Sequence, residues 1–344
     1  MAKRKLLLIG TGGWAAAHAK ALADCREVAL AGICGHRNVQ RLNDLAAAHS
    51  VECTGLDLTS MLERVQPEIV DVSCNPHFRL DPVRAAVSCP SVALINLEKP
   101  LALRPGDAYE IARLCRESGK LLTVNHQKKF LPAWAKLKRE IVNGTLGSLR
   151  WIRATCQGNP LEQGTHLVDM IMHFNDYSPI AWIMGQVGDL EGFDKPQASA
   201  PDSAVGVIEF ENGVRALVTM GNVGADVPGE TNKWQRFAVT AFGEKGHAEV
   251  TLNKHLTFID YASGETRTQP SSWDNDYLSA LTAHLDSLSD YIASPEAGHI
   301  SDVDRSMLSF DAVMGIYASA AGAGKVAFPV RFEDGILAGL QARR

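Results

Sequence analysis

The sequence predicts an α/β protein in two parts: a doubly wound parallel sheet flanked by helices over residues 1–125, then a second α/β domain with a mainly antiparallel sheet over 126–344. Three observations carry this reading. Short, wholly apolar runs alternate with helix-period segments up to about residue 125, the pattern of parallel strands buried on both faces. A glycine-rich turn joins the first run to the first helical segment. After residue 125 the rhythm changes to strands that follow one another through short turns. A length of 344 residues agrees with two domains at roughly 150 residues each.

Taken in order, the apolar runs at 6–9, 28–34, 69–73, 92–95 and 121–124 read as strands, and the segments at 13–24, 38–49, 78–88 and 105–118 as the helices between them. A helix is expected at 132–143, a strand at 148–156 and a helix at 164–176. From 187 to 260 alternating strands are punctuated by Glu211-Asn212-Gly213, Gly243-Glu244-Lys245-Gly246 and Ala262-Ser263-Gly264. Residues 194–202 and 224–232 read as long loops. Two closing helices at 274–293 and 302–321, a strand at 326–330 and a polar tail complete the chain.

Composition excludes several classes. With 34 Lys+Arg against 39 Asp+Glu the formal charge is −5, so no positive field attracts nucleic acid or anionic lipid. No stretch approaches the ~18 apolar residues of a membrane span. The seven cysteines include no C-x-x-C pair, which reads as reduced thiols in a cytoplasmic protein. Lys3-Arg4-Lys5 followed by an apolar run imitates an export signal, but the run ends at Ile9, short of the roughly 7–15 residues such a region needs.

Gly10-Thr11-Gly12-Gly13-Trp14-Ala15 stands between the first strand and the first helix. This is the G-x-G-x-x-A dinucleotide fingerprint in its required context. The first glycine makes the tight turn, the second admits the pyrophosphate, and Ala15 lets helix and strand pack closely. The helix N-terminus then offers unpaired N–H groups to the anion. After the second strand, where a carboxylate would hold the ribose 2′-hydroxyl, the sequence has Gly35-His36-Arg37. Arg37 with His36 suits a 2′-phosphate, so the expected cofactor is NADP or NAD with a lean to NADP.

A second motif, Glu98-Lys99-Pro100, stands at the carboxyl end of the expected fourth long strand, the edge at which open α/β sheets bind ligands. Together with the glycine turn, Cys74-Asn75-Pro76-His77, the run from Asn125 through His126, Gln127, Lys128 and Lys129 to Phe130, and Gly164-Thr165-His166-Leu167-Val168-Asp169, it gives a chain that resembles the Gfo/Idh/MocA oxidoreductases over nearly its whole length.

The resemblance implies an N-terminal Rossmann domain and a C-terminal α/β domain with a large open sheet, which often forms a homodimer or homotetramer interface. It implies hydride transfer between nicotinamide and a sugar, cyclitol or related polyol. On this analogy Lys99 orients the reacting hydroxyl and assists its proton, and His166 accepts or donates that proton. Glu98 and Asn75 lie against the nicotinamide ribose and ring, Cys74 borders the cofactor, and Asp169 holds a substrate hydroxyl. Glu162 stands where many relatives have Asp four residues before the histidine. Lys129 stands where many have Arg, keeping the charge but losing the bidentate fork. His126 either lines the cleft or serves as a hinge.

The residues alone allow other readings. Either Lys99 or His166 suits the base that alcohol oxidation needs. Glu162, His166, Asp169 and His173 fall on one helical stripe, which also admits a metal-dependent lyase or hydrolase. A dinucleotide-binding regulator without turnover is the third reading.

Overall fold

The structure is a computed structural model that describes residues 2–194 and 200–342. Residues 195–199 of the loop expected at 194–202 lie outside the described residues. The chain forms two compact units, the first made of Met1–Ala102, Asp107–Gln127 and Leu278–Ser306 and the second of Leu103–Gly106, Lys128–Tyr277 and Met307–Arg344. The single cut expected after residue 125 is therefore replaced by repeated crossings, and 278–306 return to the first unit.

The first unit runs β1 (Arg4–Ile9), α1 (Gly13–Asp24), β2 (Val28–Cys34), α2 (Val39–Ala48), β3 (Thr54–Gly55), α3 (Leu58–Val65), β4 (Ile69–Val72), α4 (Leu80–Val87), β5 (Leu94–Glu98), α5 (Pro105–Ser118) and β6 (Leu121–Asn125). The strands pair in parallel in the order β3-β2-β1-β4-β5-β6. That is the Rossmann arrangement, with its reversal of direction between β1 and β4. Every residue of β4 and β5 is buried, as a sheet covered on both faces requires. The caps are local. Asn38 accepts from the Arg41 N–H to start α2, and Asp57 from the Ser60 N–H to start α3.

Three details differ from expectation. The strand expected at 92–95 runs Leu94–Glu98, pairing Leu94 with Ile69 and Glu98 with Asn125, so Lys99 is the first residue beyond it. Strand β3 and helix α3 were not foreseen, one being too short to show a period and the other only eight residues long. Helix α8 (Trp273–Ala293) sends Leu281, Leu285 and Leu288 into the core formed with Leu6, Leu8 and Leu22. Its Asp286 also accepts the Arg26 and Glu27 N–H groups at 2.9 and 3.0 Å.

The second unit contains α6 (Pro132–Val142), β7 (Leu149–Cys156), α7 (Gly164–Phe174), β8 (Ile180–Gly188), β9 (Ser203–Phe210), β10 (Arg215–Met220), β11 (Phe237–Gly243), β12 (Gly246–Thr251), β13 (His255–Asp260) and β14 (Thr266–Pro270). After α8 come α9 (Val303–Gly322), β15 (Val326–Ala327) and α10 (Gly335–Gln341). Its nine described strands form one sheet in the order β14-β13-β12-β11-β7-β10-β9-β8-β15, antiparallel except where β7 meets β10. Strict alternation buries one face: Ile152, Ala154 and Cys156 of β7 point inward, while Arg153 and Thr155 point outward. On the buried face Trp134 of α6 stacks 6.2 Å from Phe174 of α7 and meets the edge of Phe237 at 5.5 Å. The expected polar tail instead forms α10, whose Leu337 and Leu340 are buried.

Candidate functional site

In the first unit the glycine turn lies at the reversal between β1 and β4. Gly10 has φ +127°, and a Cβ there would stand 2.8 Å from the Ser73 carbonyl oxygen, so no side chain fits. Gly12 and Gly13 differ, since a Cβ at either would meet nothing within 4 Å. Gly12 caps α1 without a side-chain hydrogen bond, and the first turn carries no acidic residue. Backbone N–H groups and the positive end of the helix are thus open to an anion. Ala15 is fully buried, as close packing demands, whereas Trp14 is exposed. This cradle fits a dinucleotide pyrophosphate.

Beside it lies a pocket of about 180 Å³ whose walls include Gly10, Cys34, His36, Leu56, Cys74 and Phe78. His36 meets Phe78 edge-on at 5.6 Å, and Arg37 is exposed. No carboxylate ends β2; His36 and Arg37 follow it instead. Asn75 spends its side chain locally, its Oδ1 accepting the His77 N–H at 3.0 Å to cap the short turn Pro76–Phe78.

Lys99 is half-buried directly after β5. Its loop is pinned by Arg79, a buried residue not singled out from sequence. The Arg79 guanidinium donates to the carbonyls of Cys74 at 3.3 Å, Lys99 at 3.2 Å and Pro100. One side chain therefore ties the loop after β4 to the loop after β5.

Behind this corner lies a buried polar network. His18 of α1 is 0% exposed, with Nδ1 2.5 Å from Asp71 Oδ2 and Nε2 3.0 Å from Glu98 Oε1. Asn125 Nδ2 donates to the same Glu98 oxygen at 2.5 Å, and Asn96 Nδ2 donates to Asp71 Oδ1 at 2.9 Å. Asn96 Oδ1 in turn accepts from Thr123 Oγ1 at 2.8 Å and from His284 Nε2 at 3.0 Å. Burial disfavours the charged ring of His18, but Asp71 and Glu98 outweigh it and raise its pKa to about 10. Burial likewise opposes ionisation of Glu98, yet hydrogen bonding and charge from His18, with Lys99 and Arg79 nearby, hold it below the usual carboxylate range. The signal for these residues was in the sequence: Asp71 and Asn96 interrupt otherwise apolar parallel strands, where a polar side chain must find partners.

In the second unit His166 and Asp169 lie on α7 and are buried. Lys129, on the short turn Gln127–Phe130, places Nζ 3.0 and 3.1 Å from the two Asp169 oxygens and 3.2 Å from the Tyr177 hydroxyl. Ser309 Oγ also donates to Asp169 at 3.3 Å. Lys128 extends over the rings of Phe237 and Trp273 and donates to Gln163 at 2.9 Å, bracing the turn that leads into α7. Glu162 precedes α7 in a turn built on Asn159, whose Oδ1 accepts its N–H at 2.8 Å. The stripe foreseen for a metal is thus broken at its first member, and no group of three or more His, Cys, Asp or Glu side chains among the described residues is arranged to hold an ion. His126 is buried at the end of β6 in the first unit, and His173 lies at the far end of α7 with its ring 6.0 Å from that of Tyr177.

Comparison with known proteins agrees with this geometry. Residues 4–126 match the oxidoreductase family with an NAD-binding Rossmann fold, Gfo/Idh/MocA. The chain is 24% identical over 242 residues to D-glucoside 3-dehydrogenase of Escherichia coli, covering 61% of this chain and 67% of that one. It is 26% identical over 257 residues to myo-inositol 2-dehydrogenase of Thermotoga maritima, covering 70% and 72%. Among solved structures, levoglucosan dehydrogenase in complex with NADH and L-sorbose superposes with a TM-score of 0.81 at 17% identity, over 96% of this chain and all of that one.

Proposed function

Residues 4–126 match the Gfo/Idh/MocA oxidoreductase family, and from that match we propose that the chain is an NAD(P)-dependent dehydrogenase acting on a CH–OH group of a sugar, cyclitol or related polyol. The observation that carries the reading is a half-buried lysine at the carboxyl edge of a Rossmann sheet, in the same unit as an open glycine cradle and held there by Arg79. The nicotinamide, when bound, supplies or accepts the hydride.

In this reading Gly10, Thr11, Gly12, Gly13, Trp14 and Ala15 seat the pyrophosphate. His36 and Arg37 meet the adenosine end, and Cys74, Asn75, Glu98 and Lys99 border the nicotinamide end. Lys99 also orients the substrate hydroxyl at Nζ and moves its proton. His166 is the second acid-base group, steered by Glu162. His126 contacts substrate, as do Lys129 and Asp169, which act as a compensated ion pair rather than as separate charges. The finer cofactor preference is NADP, supported by an exposed Arg37 and the missing carboxylate after β2. The half-buried outer face of the nine-stranded sheet, with Leu217 and Thr219 on it, supports a homodimer or homotetramer, whose mass sedimentation equilibrium would read.

The test is titration with NADPH and NADH followed by fluorescence, then a screen of sugars and polyols by nicotinamide absorbance. Arg37→Ala is expected to lose the preference for NADPH. Lys99→Met should keep cofactor binding and lose turnover by about 10²–10⁴-fold. Binding of neither dinucleotide to cofactor-free protein would overturn the proposal.

A further inference from the structure

His18 is a fully buried titratable group that the proposed reaction does not use, and its surroundings determine its state. Each ring nitrogen faces a carboxylate oxygen. The neutral ring has one donor and one lone pair, so it would satisfy one carboxylate and turn a lone pair on the other. Asn96 is already committed to Asp71 as a donor, and Asn125 Nδ2, 3.0 Å from His18 Nε2, donates to the same Glu98 oxygen that Nε2 faces. A ring protonated on both nitrogens donates to both ionised carboxylates, with Asn125 turning its amide hydrogens to Glu98 alone.

We propose that His18 is a positioning residue for the Glu98-Lys99 corner: clamped between Asp71 and Glu98 as an imidazolium, it keeps Glu98 an ionised carboxylate with one fixed orientation at the end of β5. The groups that face the cluster are Asp71 and Ser73 at β4, Asn96, Glu98 and Lys99 at β5, Thr123 and Asn125 at β6, Arg79 ahead of α4, and His284 of α8. With both carboxylates ionised, the cluster of His18, Asp71 and Glu98 carries a single net negative charge, and that charge sits next to Lys99. Asp71 then has a defined task. It supplies the second anion that makes the doubly protonated ring favourable, and so acts on Glu98 through His18.

The effect on turnover rests on the proposed function, whereas the imidazolium does not. The experiment separates the two. Side-chain ¹⁵N NMR of the apo protein, with the His18 signal assigned by its loss in His18→Gln, is expected to show both ring nitrogens protonated at about pH 8, where an unperturbed imidazole is neutral. A neutral ring there overturns the proposal whether or not NADH binds.

Two double variants then locate the charge that matters. In His18→Gln alone, two carboxylates face one amide and must share a proton, so the acid limb of the kcat/KM profile should move up by about one pH unit or more. In His18→Gln with Asp71→Asn, the Gln amide can donate to Glu98 and accept from Asn at position 71, leaving Glu98 ionised. In His18→Gln with Glu98→Gln, the hydrogen bonds close equally well, but the charge is left on Asp71. Both doubles should recover thermal stability, while only the first should recover the wild-type acid limb and at least about tenfold in kcat over the second. Equal kcat in the two doubles, or an unmoved acid limb in His18→Gln, would reduce His18 to a packing residue. Failure of the wild type to bind either dinucleotide removes the proposed function and leaves the NMR result to decide the state of His18.

Discussion

Gly10 and Asp71 show two ways in which a single residue encodes the site. Gly10 is legible because its demand is local: a tight turn at φ +127° with the Ser73 carbonyl 2.8 Å from any Cβ admits only glycine. Gly10→Ala should therefore cost about 1–3 kcal/mol in urea unfolding and weaken NADH binding in parallel. An unchanged midpoint would mean that the turn relaxes freely. Asp71 is legible only as a question, since an acid inside an apolar parallel strand must have a partner but does not say which. The answers, His18 and Asn96, lie 53 and 25 residues away. Lys129 and Asp169 carry the same lesson, because their ion pair joins two motifs that stand 40 residues apart in the chain.

At the level of elements, periodicity located the long strands and helices because burial on one or both faces imposes it. Short elements escaped: β3 is two residues long, and α3 is held chiefly by the Asp57 cap and three buried side chains. Helix α8 was foreseen as a helix but assigned to the wrong unit. Its apolar stripe says that it packs and not where. With Leu285 fully buried in the core of the first unit, Leu285→Ala should cost about 2–5 kcal/mol and lower the apparent affinity for NADH near the unfolding midpoint. Destabilisation that leaves the first unit's amide exchange unchanged would contradict the assignment. Helix α10 was read as tail because only Leu337 and Leu340 distinguish it.

For the whole molecule, the buried cluster links protonation to folding. His18 goes from an ordinary value of 6.5 to about 10 in the folded state, so its stabilisation is complete below pH 6.5 and is lost as pH rises toward 10. Glu98 is shifted the other way, so its contribution is present above its ordinary 4.5 and disappears as pH falls below it. Thermal unfolding should show Tm falling between pH 6.5 and about 10, with the fall flattened when His18→Gln is combined with Asp71→Asn. A wild-type Tm that is flat over that range would contradict the clamp.

The sequence by itself determined the fold class, the glycine cradle, the lysine at the strand edge and the change of rhythm near residue 125, because each depends on neighbours within a turn or a strand. Tertiary structure alone decided that α8 completes the first core, that Arg79 ties two loops, and that His18 meets Asp71 and Glu98 across 53 and 80 residues of chain. The physical reason is range. Periodicity and backbone sterics act between close neighbours in sequence and leave a local pattern, whereas a buried charge is satisfied by whatever partner the sheet order brings beside it.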